Sequence, residues 1–396
     1  MKELSNNNLP KGWRKVKLGE ILKEPPQYGY TASATNKKVG PKFLRVTDIV
    51  GYEVDWARVP FCKISEKEKK KYLLNKGDIV FARAGTVGYT FFVKENPPED
   101  TIFASYLIRI KIDEKRYDPV YVSYFFKSPL YWGQVNNFLT GTSQPGINAT
   151  SLKDFELLIP QDINEQKRIA DILSAFDDKI ELNNKIIKTL EEMAQEIFKE
   201  WFVRFQFPGW QKVKFVDSEL GKIPDGWEVK NIMEIVKRIP VGKRYDNKTA
   251  LPKGKVPILD QGQSGIIGFH NEEPGVKASP KNPVAVFSNH TCYYRLVTFD
   301  FSCIQNVIPY IGINGYPTTF VFYLTKDKIK MSDYKGHWPE FTAQKFIIPP
   351  PELAVKFSET IQPMIEKIDE IRKENQTLAE LRDSLLPKLM SGEIRV

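Results

Sequence analysis

The sequence predicts an α+β protein built as an internal repeat, with two small α/β globules alternating with two long helices. Three observations carry this. Pro10-Lys11-Gly12-Trp13 returns as Pro224-Asp225-Gly226-Trp227, 214 positions later. Each copy runs through a turn-rich region to an Ile-Pro, at Ile159-Pro160 and Ile348-Pro349, and each Ile-Pro is followed by a long heptad-patterned stretch. A period this long marks two domains and not a solenoid, whose repeats lie near 20 to 50 residues. The 396 residues suffice for two or three separate cores. The division is a globule over 1–160, a helix over 161–205, a linker and second globule over 206–349, and a second helix over 350–396.

Within the first globule, Lys42–Val46, Asp78–Arg83, Tyr89–Val93 and Tyr106–Ile110 read as strands between Gly- and Pro-bearing turns, with a short helix near Val120–Phe126. The second globule echoes the strands at Val256–Leu259, Val284–Phe287, Thr318–Tyr323 and Lys345–Ile348. Each globule is thus expected to hold a small irregular sheet. Beyond the Gly-Trp openings the two copies differ strongly in residue identity, as two readers of different ligands would.

The first helical stretch places Ile169, Leu173, Phe176, Ile180, Asn183, Ile187, Leu190, Ala194, Ile197 and Trp201 at alternating steps of four and three. The second places Phe357, Ile361, Met364, Ile368, Ile371, Asn375, Leu378, Arg382, Leu385 and Leu389 in the same pattern. Two such seams predict a coiled-coil pair. Asn183 and Asn375 either face one another, as polar seam residues that fix register do, or face solvent at a splayed point. Asp162 and Asn164 are cap candidates for the first helix, and Glu165 falls where the helix dipole favours a carboxylate. Antiparallel pairing would set one globule at each end of a rod. From Ile169 to Trp201 such a rod measures roughly 50 Å, on the order of 15 base pairs of B-DNA.

The net charge of +9 is unevenly distributed. Residues 1–160 hold 25 Lys and Arg against 17 Asp and Glu, and 206–349 hold 19 against 13. The helical stretches reverse this, with 7 against 10 over 161–205 and 7 against 9 over 350–396. Basic globules suit a polyanion, because Lys and Arg near phosphates release counterions; an ordinary basic protein without such a ligand is the alternative.

Signals for chemistry are sparse. His270, His290 and His337 lack companions at metal-ligand spacing, and no phosphate-binding Gly-x-x-x-x-Gly-Lys loop occurs. Asn96-Pro97-Pro98-Glu99 has Glu where an aminomethyltransferase would stack an aromatic on its target base, and it reads as a solvated turn. No catalytic, cofactor or metal residue is therefore assigned. Cys62, Cys292 and Cys303 suit buried thiols in a reducing cytoplasm, and neither a secretory segment nor a membrane span is expected.

Several segments resemble the DNA-specificity subunits of type I restriction-modification systems. The resemblance rests on the Pro-Xaa-Gly-Trp openings with Leu18-Gly19-Glu20-Ile21, on Leu74 to Arg83 with the Gly85 to Gly88 turn, and on the Gly141-Thr142-Ser143-Gln144 loop. Its most specific parts are Asn164-Glu165-Gln166-Lys167-Arg168-Ile169 running into Phe176-Asp177-Asp178-Lys179-Ile180, and the ending Leu385 to Ile394. It implies two target-recognition domains related by a pseudo-twofold repeat, each reading half of a bipartite sequence in double-stranded DNA. It also implies antiparallel spacer helices, two methyltransferase subunits and endonuclease/translocase subunits as partners, with S-adenosylmethionine bound by the methyltransferase. One departure is visible: Pro351-Glu352-Leu353-Ala354-Val355-Lys356 opens the second helix without the Asn-Glu-Gln signature.

Candidate DNA contacts are polar and basic residues on expected loops. In the first globule they are Lys37, Lys38, Arg83, Thr86, Thr140, Thr142, Ser143 and Gln144; in the second, Lys243, Arg244, Gln261, Gln263, Asn289, His290 and His337. Arg suits guanine, Asn and Gln suit adenine, and Lys mostly meets phosphate. Each has the alternative of being an ordinary solvated residue. A self-contained DNA methyltransferase or nuclease and a protein-binding adaptor stay open as rival functions.

Overall fold

The structure is a computed structural model that describes residues 9–140, 146–262, 265–333 and 335–396. It divides into two units, Met1–Ile180 with Gln376–Val396, and Glu181–Asn375. The division falls within both long helices, Ile163–Phe202 and Pro351–Ser391, so each unit holds part of each.

The first unit is built around the strand Ile79–Ala82, whose four residues are all buried. It lies between Leu107–Ile110 and Thr90–Phe92 in an antiparallel sheet that Gln27–Tyr28 completes at the Leu107–Ile110 edge. Lys42–Leu44 and Thr101–Phe103 form a separate parallel pair. The helix Pro119–Phe125 starts where Asp118 Oδ1 accepts the Tyr121 N–H at 2.8 Å, with proline in the first turn where no amide donor is needed. Trp13–Lys17 then pairs antiparallel with Glu156–Pro160, Trp13 opposite Pro160, which delivers the chain to the long helix.

The second unit repeats this topology. Val284–Ser288 is central, flanked by Val307–Gly312 and Tyr294–Val297, with Val236–Arg238 at the far edge. Val256–Leu259 pairs parallel with Ser302–Ile304, and Glu228–Asn231 closes antiparallel on Lys345–Ile348. An added hairpin, Phe215–Ser218 with Gly221–Pro224, precedes the closing strand. The repeat therefore survives as strand order where residue identity has been lost.

One expected strand is corrected. Thr318–Tyr323 lies in a helix, Thr318–Thr325, of which Thr319 to Thr325 are all buried. A run of β-branched and aromatic residues buried on every side carries no period to separate helix from strand, and here packing decides. This helix occupies the place that Pro119–Phe125 holds in the first unit, and in each the connection to the last strand is marked by a tyrosine. Tyr121 donates to Leu158 O at 2.8 Å, and Tyr316 donates to Pro349 O at 2.9 Å.

Within each unit the helix segments pair antiparallel. In the second, Asn183 is buried and donates to Asn375 Oδ1 at 2.8 Å and Glu374 Oε2 at 2.9 Å; Arg372 bonds Glu191 at 2.9 Å. The seam asparagines thus face each other. In the first unit, Arg382 interrupts the seam and donates to Asp177 Oδ1 at 2.6 Å. Leu173, Ile361, Ile368 and Ile371 are buried, and Phe176, Ile180, Ile187, Leu190, Ile197, Met364, Leu378 and Leu385 are partly buried.

Candidate nucleic-acid interface

Each unit gathers three loops around one hairpin tip. In the first unit the tip is residues 83–89, between the central strand and Thr90–Phe92. Thr86 Oγ1 donates to Val46 O at 3.3 Å, which joins the tip to the turn after Lys42–Leu44. Arg83 N donates to Tyr106 O at 3.0 Å, and Ile147 N donates to Arg83 O at 2.9 Å. The tip is therefore bound to two further loops, one of them the segment following residues 141–145. Gly85, at φ +74°, makes the turn in a conformation that L side chains seldom adopt.

The second unit places residues 289–293 at the equivalent tip. Thr291 Oγ1 donates to Gln261 O, as Thr86 does to Val46 O, and Gln261 Oε1 accepts the His290 N–H at 3.1 Å. Asn289 Oδ1 accepts the Trp338 N–H at 2.8 Å, and Asn289 O accepts the His337 N–H at 2.8 Å. Arg295 fastens the loop after Val256–Leu259 by donating to Gly265 O at 2.7 Å and to Gly262 O, with Asp260 at 3.4 Å. Burial pushes this guanidinium's pKa down, against the opposing pull of Asp260.

The sequence-selected residues fall unevenly on this frame. Arg83 and Thr86 lie on the first tip; Asn289 and His290 lie on the second, with Gln261 bonded to it. Thr140 is exposed at the end of the helix Pro129–Thr140, its hydroxyl donating to Asn137 O at 3.0 Å. Thr142, Ser143, Gln144 and Gln263 lie outside the described residues. Lys37 and Lys38 are exposed on another loop, and Lys38 pairs with Glu99 at 2.6 Å. Lys243 pairs with Glu272 at 2.7 Å, a hydrogen bond that raises the ammonium's pKa.

Two of these residues are engaged within the fold. His337 is fully buried, its ring held by Glu340 at 3.0 Å and Asp333 O at 3.1 Å, so it supports the loop from inside. Arg244 is half-buried, and its Nη1 donates to Ile304 O at 2.7 Å and Val307 O at 3.4 Å, a tether between strands. A sequence marks such side chains as polar but not as enclosed. Sequence reasoning also passed over Tyr28 and Tyr106, which stand beside Arg83 with 41% and 58% of their surface exposed.

The residues that resembled a specificity subunit at the first helix start form one junction, with Glu165 and Gln166 buried in it. Asp162 Oδ1 accepts the Asn164 N–H at 2.9 Å. Glu165 Oε1 accepts the Trp13 indole N–H at 3.1 Å, and Arg395 Nη2 reaches Glu165 Oε2 at 3.3 Å. Gln166 donates to Pro160 O and accepts from Asp118 N, both at 2.8 Å. Among the described residues, no cluster of three or more His, Cys, Asp or Glu is placed to hold a metal ion, and no helix is long and apolar enough to cross a membrane.

Known proteins resemble this chain in sequence and in fold. The family model for the type I restriction modification DNA specificity domain matches residues 10–192. The MjaIX specificity subunit of Methanocaldococcus jannaschii is 28% identical, with 100% of this chain and 96% of that protein aligned. The HindI specificity subunit of Haemophilus influenzae is 21% identical, over 96% of this chain and 99% of its own length. The crystal structure of a type I S subunit from M. genitalium superposes with a TM-score of 0.55 at 18% identity, covering 97% of each chain, which establishes a shared fold. Residues 10–192 thus match the type I restriction modification DNA specificity domain, and the chain's similarity to type I specificity subunits runs its full length.

Proposed function

We propose that the chain is the DNA-specificity subunit of a type I restriction-modification complex. Each globule acts as a target-recognition domain for half of a bipartite duplex sequence, and the paired helices set the interval between the halves. The chain does no chemistry itself. It recruits methyltransferase subunits, which bind S-adenosylmethionine, and endonuclease/translocase subunits. The observation that carries this reading is the repeated hairpin tip. One scaffold occurs twice, and at the same position it presents Arg83 and Thr86 in one copy and Asn289, His290 and Thr291 in the other. Two copies of one frame with unlike side chains suit two unlike half-sites.

The test is to map methylated adenines in the host genome by single-molecule sequencing, with and without this chain. A split motif that disappears with the chain is expected; an unsplit motif, or one that persists, would refute the proposal. The spacer role has its own test. Adding four residues to each helix lengthens it by about 6 Å, and the gap between half-sites is expected to grow by one or two base pairs. Binding of S-adenosylmethionine by the purified chain alone would favour the rival reading, a self-contained methyltransferase.

A further inference from the structure

The hairpin tip of the first unit holds a guanidinium that makes a single long hydrogen bond among the described residues. Three other arginines of this globule make short hydrogen bonds through their terminal nitrogens. Arg109 donates to Leu73 O at 2.6 Å and Lys71 O at 3.1 Å, Arg45 bonds Asp48 at 2.8 Å, and Arg14 donates to Tyr117 Oη at 2.7 Å. Arg83 makes one long bond, Nη1 to Ser105 O at 3.5 Å. Its Nε is buried with no acceptor, and its Nη2 has no partner among the described residues.

This guanidinium is nonetheless held in place. It lies over the Tyr28 ring at 5.0 Å, and Tyr28 is itself fixed, its hydroxyl accepting the Ala149 N–H at 2.9 Å. Tyr106, whose carbonyl accepts the Arg83 backbone N–H, is exposed. An arginine stacked on an aromatic face keeps its planar fork oriented and loses little freedom when it meets two acceptors at once. Guanine presents such a pair, O6 and N7, in the major groove. Among the described residues the second unit's tip is built differently: it begins with Asn289, whose Oδ1 is occupied by Trp338, and the nearby Arg295 is held by its own loop.

We infer that Arg83 reads a guanine in the half-site met by the first unit, with Tyr28 as its positioning residue. This rests on the proposed function, and the experiment separates the two. The native host, deleted for the chain, is complemented with wild type, Arg83→Lys or Arg83→Gln, and methylated positions are mapped. The purified full chains are also titrated with duplexes carrying the wild-type motif or single base-pair changes in it. The wild-type motif should contain a guanine in one half whose replacement weakens binding roughly 10- to 100-fold. Arg83→Lys should lose that discrimination, and Arg83→Gln should shift it toward adenine, with the other half unchanged in both.

An unchanged motif in either variant overturns the inference. So does a uniform loss across all duplexes with the salt slope reduced by about one, the signature of a phosphate contact. Loss of all binding by variants that melt like wild type overturns it as well. Absence of any split motif in the wild type would instead sink the proposed function.

Discussion

The two tryptophans that open the two copies are buried alike, at 5% and 6% exposure, yet they are anchored by different physics. Trp13 gives its indole N–H to the buried Glu165, which also meets Arg395, and Gly392 packs against its ring. Trp227 has no hydrogen-bond partner for its indole among the described residues. It sits among Phe202, Phe205 and Phe207, with ring centroids at 5.9, 5.3 and 5.4 Å. Counting along the matching heptads, Leu353 stands where the first copy has Glu165. The interruptions of the helix seams divide the same way, an ion pair between Asp177 and Arg382 in the first unit and an amide pair between Asn183 and Asn375 in the second. A repeat can thus hold its geometry while exchanging the partners that anchor its tryptophan and its helix seam. The second copy's lack of the Asn-Glu-Gln signature marks the exchange.

The largest effect expected from this contrast is at Trp227. Trp227→Ala removes the centre of an aromatic cluster and should cost about 3–5 kcal/mol, seen as loss of hydrogen-exchange protection confined to the second unit. Trp227→Phe keeps the packing and should cost much less. At the first copy the order changes. Trp13→Phe and Glu165→Leu each break a buried bond to a carboxylate, at about 1.5–3 kcal/mol, although Leu is what the second copy carries. Should Glu165→Leu prove neutral in denaturant titration, the two anchors would be interchangeable and the contrast would fail.

A smaller effect should appear on acidification. Burial opposes the charge on Asp177, but Lys127, Arg382 and the Tyr124 hydroxyl outweigh it and hold the carboxyl below its usual range. A carboxylate depressed by folding stabilises the native state above its unfolded pKa of about 3.9 and loses that contribution as pH falls through the lower folded value. Asp177→Asn should therefore cost about 1 kcal/mol at neutral pH. Melting temperatures of variant and wild type should converge below about pH 4. A gap that stays constant with pH would show that Asp177 acts by shape and not by charge.

The parts of this molecule legible in its sequence are those with a period or a fixed backbone requirement. Heptads exposed the helices because Leu173, Ile361 and Ile371 recur on one face. The glycine-bearing turn beside Arg83 exposed the hairpin tip. Illegible were properties set by distant neighbours. Glu165 reads as a first-turn carboxylate, and nothing local says that Trp13, 152 positions away, donates to it. His337 and Arg244 look like surface readers because enclosure by Glu340 or by Ile304 O is a tertiary fact. Tyr28 lies in a two-residue strand, and its place under Arg83 depends on sheet order, which pairs Gln27–Tyr28 with Leu107–Ile110.

The last change tests the amide seam of the second unit. Asn183 donates to the Asn375 carbonyl and the Glu374 carboxylate, so Asn183→Leu alone should cost about 1–3 kcal/mol, because both acceptors lose a donor. Replacing both with leucine removes the stranded Asn375 carbonyl and extends the apolar seam, leaving only the Glu374 carboxylate and the Asn184 carbonyl short of a donor, so the double variant should be more stable than the single one and lie within about 1 kcal/mol of wild type. The difference between single and double is the coupling energy. What the asparagines contribute is then register and not stability, because a seam of leucines at every position accepts a shift of one heptad that an amide pair refuses. In the restriction complex such a shift would move one half-site relative to the other. The double variant should therefore melt normally while its methylated sites spread over more than one spacer length. A single sharp spacer in that variant would place control of register elsewhere, with the Asp177–Arg382 ion pair as the next residues to change.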